Sequence, residues 1–332
     1  QIVIILDIFS SRSNGGGEDR KVSTPTFTIF IPTYNRAYCL DRAFKSVAHS
    51  TNKDFEVVLI DDGSTDNTQM LVSQWQERGL FDLRYIYQEN AGKAAAHNRA
   101  VTAARGQFFL TLDSDDSLLP NALDEVLAYW LTIPAEERSS FAGIGGLLLE
   151  DDGSVSGRCY ANNVIDSDYL AIVTYGVMRG DKREVIRTDV LREFPYPLIP
   201  GEKHVRPSFI LRRIGHKYKT RFVNAPLVIG RREPDGISHN RRRLREQNPR
   251  GLHLAFLEEI TLNDIYTDGR QLQRLHNRYV RFALHSGRGI FTQFREVKHK
   301  IRWLAALPAG TSAWFGDKLR QIGRSIFSRG YR

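Results

Sequence analysis

Gln107-Phe108-Phe109-Leu110-Thr111-Leu112-Asp113-Ser114-Asp115-Asp116 is the stretch on which the fold turns. Its apolar first half reads as a buried strand. The three acids that follow within four residues make a poor structural cap. A second run of the same design, Phe55-Glu56-Val57-Val58-Leu59-Ile60, leads into Asp61-Asp62-Gly63-Ser64. In an open α/β sheet, ligands bind at the carboxyl ends of the strands, so both acidic groups are expected to converge on one crevice. Crowded carboxylates repel one another unless a cation or donor groups compensate them. Asp-x-Asp spacing suits a hard, oxygen-seeking Mg²⁺ or Mn²⁺, and such an ion gripping a nucleotide diphosphate supplies the compensation.

The flanking sequence supports a sheet of this kind. Phe27-Thr28-Ile29-Phe30-Ile31 is a strand ending at Pro32, and Leu40, Ala43, Phe44 and Val47 recur at helical spacing. Strand two is 55–60. Asp66 can cap a helix carrying Leu71, Val72 and Trp75, and 83–87 is strand three. A helix from Gly92 to Ala104 is broken by Gly106 ahead of strand four at 107–112. Pro120 suits the first turn of a helix carrying Leu123, Val126, Leu127 and Trp130. These strand–helix alternations predict an α/β fold with a mostly parallel central sheet flanked by helices.

Past Pro134 the pattern changes. Residues 144–149, a turn at Asp151-Asp152-Gly153 and residues 155–160 read as a hairpin. Residues 165–250 mix short strands and loops, as a substrate-facing half would. Two amphipathic helices follow, one with Leu252, Ala255, Phe256 and Ile260, the next with Leu272, Leu275, Tyr279 and Phe282. At the other end, residues 10–23 are polar and rich in Gly and Ser. Ile2–Leu6 before them is a strand, a disordered lead or a non-native remnant. The expected divisions are a flexible lead (1–24), a donor-binding half (25–135), an acceptor-binding half of the same domain (136–250) and a basic helical C-terminal extension (251–332).

Composition excludes several classes. Hydrophobic residues are 41% and charged residues 26% of the 332, as in an ordinary globular protein. Cys39 and Cys159 cannot build a disulfide framework and lack metal-ligand spacing, which points to a reducing compartment. No apolar run approaches the ~20 residues that span a bilayer. The net charge of +9 is uneven: from Arg270 onward 14 Lys/Arg face only Glu296 and Asp317, giving +12 there and −3 for residues 1–269. An anionic surface, membrane or nucleic acid, is the partner such a tail suggests. Nucleic acid is disfavoured despite Arg241-Arg242-Arg243, because aromatic-interleaved recognition motifs are missing and the charge lies away from the sheet. A nucleotidyltransferase would show a Gly-rich phosphate loop after strand one, and none follows it.

Further motifs complete the crevice. Pro32-Thr33-Tyr34-Asn35-Arg36 follows strand one, where a turn brings backbone N–H groups and a tyrosine ring to the sheet edge. Asn90-Ala91-Gly92-Lys93 with His97-Asn98 opens a helix of small residues whose N-terminus offers free donors, with Lys93 in reach of phosphate oxygens. His97 reads as structural, having no His or Cys partner at ligand spacing.

Taken in order, Pro32–Arg36, Ile60–Thr68, Asn90–Lys93 with His97-Asn98, and Leu112–Asp116 resemble the donor half of the family 2 glycosyltransferases, which have the GT-A fold. The resemblance covers 25–135 strongly. It extends more weakly to about 250 through Gly180–Val185, Gly201–Val205 and Pro234–Ser238, which are similar to segments of a bacterial subgroup making surface or secreted glycans. It implies a nucleotide-sugar donor, usually UDP-linked, a divalent cation (Mn²⁺ or Mg²⁺), and transfer with inversion. By position, Thr33 and Tyr34 would line the base pocket, Asp62 would meet the uracil and Asp113 the ribose. Asp115 would hold the metal with Asp116 beside it, while Pro32, Arg36, Asp61, Asn90, Gly92, Lys93, Asn98 and Ser114 would complete the nucleotide-sugar site.

One position departs from the pattern. The subgroup carries an acid where this chain has Pro207, and proline cannot act as a base. Glu202 is the first candidate for that role and Asp181 the second, although either could bind acceptor or pair with Lys203 or Arg206. In the tail, Trp303, Leu304, Leu307, Trp314, Phe315, Leu319, Ile322 and Ile326 lie among Lys and Arg, as in an interfacial helix. Helices packed on the catalytic body are the other reading, and Gly310 and Gly323 weaken the idea of a continuous helix. The expected protein is therefore a metal-dependent glycosyltransferase of hexosyl or N-acetylhexosaminyl type, acting on a glycan or lipid-linked acceptor. It would be cytoplasmic and peripheral on the inner membrane face. The alternative is a nucleotide-sugar-binding protein without transferase activity.

Overall fold

The computed structural model describes residues 24–231, 233, 236, 241–262 and 268–329. The sequence expectations for 1–23, most of Pro234–Ser238 and the side chains of Arg241-Arg242-Arg243 lie outside the described residues. Strands and helices alternate first as β1 (Phe27–Thr33), α1 (Ala37–Ala48), β2 (Phe55–Asp61), α2 (Thr68–Arg78), β3 (Asp82–Tyr87), α3 (Lys93–Ala103) and β4 (Phe108–Thr111). Then come β5 (Ser117–Leu118), α4 (Ala122–Leu131), β6 (Phe141–Leu149), β7 (Val164–Ser167), α5 (Tyr169–Thr174), β8 (Lys182–Arg187), α6 (Thr188–Glu193), α7 (Ser208–Lys217) and β9 (Lys219–Ile229). Five helices close the chain: α8 (Arg241–Gln247), α9 (Pro249–Leu262), α10 (Gly269–His285), α11 (Ile290–Glu296) and α12 (Lys300–Arg329).

Among the described residues the strands form one sheet in the order β3-β2-β1-β4-β8-β6-β9-β5, with β7 on β9. Its first four strands are parallel, with β1 between β2 and β4. Beyond β4 the sheet is mixed: β8 runs antiparallel to both β4 and β6, and β9 runs parallel to β6.

Side-chain alternation explains why the inner strands read as continuous apolar runs. Phe27, Ile29 and Ile31 of β1 join Val57, Leu59, Phe108 and Leu110 in the layer beneath α1, α2 and α4. Phe30, Val58, Ile60 and Phe109 point the other way, into the layer of α3, α6 and α7. Both faces of a parallel sheet are covered, so neither parity can be polar. Each such side chain contributes about 1.5–3 kcal/mol by leaving water. Ala94, Ala96 and Ala100 let α3 lie close on this second face.

Three expectations change. Residues 144–160 do not form a hairpin ladder: the turn exists, but only an isolated bridge joins Leu149 to Val155. Over Gly143–Leu147 both edges of β6 are already taken by β8 and β9. Asp66 does not occupy the N-cap of α2, which is Asn67. Its carboxylate instead accepts from the Ala37 and Thr68 N–H groups, tying the starts of α1 and α2 together. Finally, α12 runs unbroken through Gly310 and Gly323. Gly310 lies where α12 crosses α10, and a Cβ there would stand 2.5 Å from Val280 Cβ.

The last helices carry their own core, in which Phe256 of α9 and Tyr279 and Val280 of α10 meet Trp303 and Ala306 of α12. Trp303 is therefore a core residue and not part of an interfacial face, its indole N–H donating to Gln293 Oε1. Ile301, Leu304, Phe315, Leu319 and Ile322 lie exposed along the other side of α12, and Phe291 of α11 is 86% exposed. Among the described residues no helix is long and apolar enough to cross a membrane.

Candidate active site

The loops at the carboxyl ends of β1, β2 and β4 are tied to one another. Asn35, in the left-handed region at φ 53°, donates its N–H to Ser64 Oγ (2.9 Å) and accepts from the Thr65 N–H (2.7 Å). The Thr33 carbonyl accepts from the Asp62 N–H, which fixes where β2 ends. Tyr34 stands half exposed at the rim, and the buried Thr33 hydroxyl has no partner among the described residues.

Adjacent aspartates do different work. Asp61 accepts from the Ser64 N–H and the Tyr85 hydroxyl, both at 2.8 Å. Burial, followed by that hydrogen bond to Asp61, pushes the tyrosine pKa up. Asp62, 6% exposed, accepts from Gln88 Nε2 (2.7 Å) and from the N–H groups of Ala91 and Gly92 (2.8 Å each). Its carboxylate thus organises the loop that opens α3. Gly92 is at φ 91°, and a Cβ there would come within 1.9 Å of the Lys203 carbonyl. Only glycine permits this approach, which brings the 201–205 loop to the crevice.

The carboxylates after β4 are met by cations from three directions. Lys93, the first residue of α3, forms an ion pair with Asp113. Arg36 reaches Asp115 Oδ2 at 3.5 Å, and Arg183 of β8 lies 2.6 Å from Asp116 and 4.0 Å from Asp113. Asp116 also accepts from the Arg231 N–H. Burial tends to raise the pKa of Asp113, but Lys93 and Arg183 outweigh it and hold it below the usual range. Asp115 is raised by burial and by the charge of Asp113. Asp116 is pushed up to about 7, burial and the two neighbouring aspartates prevailing over Arg183.

Asp62 and Asp115 consequently share one edge of the sheet, bridged by the Lys93–Asp113 and Arg36–Asp115 contacts. Among the described residues no set of three or more His, Cys, Asp or Glu side chains encloses a metal ion. A cation here fits one protein carboxylate, Asp115, completed by substrate oxygens and water, which is how Mg²⁺ is commonly bound with phosphates. Asp116 is committed to Arg183 and the Arg231 N–H.

Other expected residues lie further from the crevice or are engaged elsewhere. Asn98 donates to the Tyr196 carbonyl and accepts from its N–H, joining α3 to the segment after α6. His97 is enclosed by Phe30, Phe109 and Tyr196, and burial, with a smaller effect of Lys93, lowers its pKa to about 3. It is a neutral core residue. Asn90 is half-buried and Ser114 buried at the crevice loops. Asp181 is exposed, its N–H donating to Ser156 Oγ.

Glu202 is only 4% exposed. Its Oε1 accepts from the Arg250 N–H (2.8 Å) and Oε2 from the Gly251 N–H (2.7 Å), so it holds the first turn of α9.

Two residues escaped the sequence reading of roles. Arg183 gathers two of the three acids after β4. Glu184, its neighbour on the opposite face of β8, has no side-chain hydrogen bond among the described residues. Burial raises its pKa. It and Asp113 both push up the pKa of the buried Tyr196, a shift due first to burial. The run Lys182-Arg183-Glu184 was visible as a motif segment, but only the pairing of β8 with β4 carries it to the acidic cluster.

Residues 28–136 match the family model described as glycosyl transferase family 2. Over 105 residues, 32% of this chain, it is 37% identical to an uncharacterised glycosyltransferase of Nostoc sp., covering 33% of that protein. Over 136 residues, 40% of this chain, it is 31% identical to the GalNAc(5)-diNAcBac-PP-undecaprenol beta-1,3-glucosyltransferase of Campylobacter jejuni, covering 41% of that protein. The chain therefore matches well under half the length of these relatives. Among solved structures, S. aureus TarS 1–349 in complex with UDP-GlcNAc superposes with a TM-score of 0.58 at 17% identity, covering 87% of this chain and 81% of that one. The shared fold is the GT-A type.

Proposed function

We propose that the chain, whose residues 28–136 match the glycosyl transferase family 2 model, is an inverting glycosyltransferase. It moves a sugar from a nucleotide-sugar, a UDP-sugar, to a glycan or lipid-linked acceptor by direct displacement. The observation that carries this reading is the convergence of Asp62, Lys93, Asp113 and Asp115 on one edge of the parallel strands. The UDP-GlcNAc complex of the TarS neighbour agrees with the choice of donor.

In this mechanism Thr33 and Tyr34 bracket the base, Asp62 presents the loop that opens α3, and Asp113 meets the ribose. Lys93 and Arg36, now facing carboxylates, turn their charge to phosphate oxygens when the donor enters. Asp115 would hold a divalent ion, Mn²⁺ or Mg²⁺, which would supply Lewis-acid stabilisation of charge on the departing diphosphate. Inversion in one displacement needs a base on the opposite side of the sugar, worth ~10²–10⁴-fold. Glu202 is engaged at α9, so we assign this proton to Glu184, with Asp181 as the second candidate.

The exposed apolar row of α12, set among Lys300, Arg302, Lys318 and Arg320, supports a peripheral position on an anionic membrane face, the cytoplasmic one. Calorimetric titration with UDP and Mn²⁺, paired with a donor-hydrolysis assay across UDP-sugars, tests the central reading. Binding with metal-dependent turnover is expected. Lack of UDP binding, or binding with no turnover on any donor and acceptor, overturns it.

A further inference from the structure

Between the sheet domain and the C-terminal helices lies a cavity of about 280 Å³ lined by four arginines together with Glu259, Thr174 and Gln271. Arg206 and Arg212 line it from α7 and the loop before it, and Arg274 and Arg278 from successive turns of α10, with Gln271 at the edge. Glu259 of α9 is the single carboxylate in the lining. It pairs with Arg206 Nη1 at 2.9 Å and with Arg212 Nε at 3.6 Å, an ion-pair distance beyond hydrogen-bond reach.

Arg212 is the residue that marks this as a site. It is 8% exposed, yet its Nε and Nη1 have no hydrogen-bond partner among the described residues. Buried charged donors are strongly disfavoured without acceptors. Arg274 and Arg278 are exposed at the mouth, and no carboxylate pairs with them among the described residues.

The larger cavity, about 450 Å³ at the opposite end of β4, is a useful contrast. It too has four arginines, but Arg105 is held by Glu56 and Asp82, Arg187 by Asp189, and Arg138 and Arg192 by backbone carbonyls. Its cations are already satisfied. Around Arg212 a single carboxylate, Glu259, serves both Arg206 and Arg212, and none pairs with Arg274 or Arg278 among the described residues.

We propose that the Arg212 cavity is an anion site that takes a phosphate or diphosphate group, separate from the donor crevice. Guanidinium groups match phosphate oxygens through paired N–H donors. Four of them against one carboxylate leave charge for a doubly or multiply charged group. If the transferase reading holds, the anion belongs to the acceptor, carried on a lipid headgroup or on a soluble phosphate-bearing glycan. The anion site itself does not depend on that reading.

The test uses the full chain with inorganic pyrophosphate as probe, by calorimetry in EDTA with excess UDP present to fill the donor crevice. Wild type is expected to bind pyrophosphate with one site, and Arg274→Ala/Arg278→Ala to bind at least tenfold more weakly. These rim positions are exposed, so the pair leaves the fold intact. Arg212→Gln should weaken binding further, and Asp115→Asn should leave it unchanged. Sedimentation with phosphatidic acid vesicles then separates the sources. Reduced binding by the rim variant assigns the anion to a headgroup, and unchanged binding together with lost pyrophosphate affinity assigns it to a soluble acceptor. No pyrophosphate binding by wild type, or binding indifferent to all three arginines, overturns the proposal. A failure of UDP to bind in a separate titration with Mn²⁺ would instead count against the donor reading alone.

Discussion

Replacing Glu202 by glutamine separates two roles that the sequence left open. Both carboxylate oxygens accept backbone N–H groups at the start of α9, at 2.8 and 2.7 Å. Glutamine keeps one acceptor and sets an NH₂ group against the other N–H. Losing such a cap costs ~0.5–2 kcal/mol, and a buried donor left unpaired costs ~1–3 kcal/mol. The partner Arg250 is half exposed, so that ion pair adds only ~0–1 kcal/mol. The expected destabilisation is therefore about 1–3 kcal/mol, seen as a lower midpoint in urea with an unchanged slope. Turnover should fall by no more than a few-fold, with any larger effect on KM, since the same loop packs its Lys203 carbonyl on Gly92. A catalytic base would behave oppositely, losing ~10²–10⁴-fold in kcat, which is about 2.7–5.4 kcal/mol of barrier, without loss of stability. A 100-fold fall in kcat at an unchanged urea midpoint would refute the capping assignment.

Other outcomes follow from the same geometry. Glu184→Gln should lower kcat by ~10²–10⁴-fold and abolish the acidic limb of the pH–kcat profile while UDP affinity holds; an unaltered profile returns the role to Asp181. Asp115→Asn is expected to remove most of the gain in UDP affinity that Mn²⁺ provides, measured by titration with and without the ion, and equal gains in both proteins would exclude it as the ligand. Phe315→Ser/Leu319→Ser/Ile322→Ser exposes no core and should reduce co-sedimentation with anionic liposomes; unchanged sedimentation argues that this face meets something else. Burial opposes ionisation of Asp317, but Arg281, Arg320 and His285 outweigh it and hold its pKa well below the usual carboxylate range. A depressed folded value means that its contribution is present above the unfolded pKa and is lost as the pH falls through the folded one. Acid unfolding of Asp317→Asn, followed by circular dichroism, should therefore lack that component and begin from a lower stability at neutral pH.

Local sequence determined the first half of this molecule. The apolar runs at 27–31, 55–60 and 107–112 are strands because both faces of a parallel sheet must be dry, and the helices between them follow from spacing and breakers such as Gly106. The acids at the strand ends were legible for the same reason: nothing in a buried strand needs three carboxylates after it. What each acid does was not legible. Asp62 accepts from the loop that opens α3, and Glu202 from a helix that starts about fifty residues later. Those partners are set by long-range packing, on which residue spacing is silent.

The same limit explains the hairpin that did not form and the tryptophan that proved to be core. Residues 155–160 have strand-like composition, but β8 and β9 hold both edges of β6 as far as Leu147 and leave only its last residues free, on one edge. Trp303 and Leu304 look alike in sequence, and the rotation of α12 against α10 buries one and exposes the other. Likewise, Arg206, Arg212, Arg274 and Arg278 are scattered over more than seventy residues of a basic chain, unremarked until two structural units enclose them. Composition fixes how much charge and apolar surface a chain carries. Which charges lose their water and which keep it is decided only when distant segments pack, because desolvation depends on neighbours that the sequence does not place.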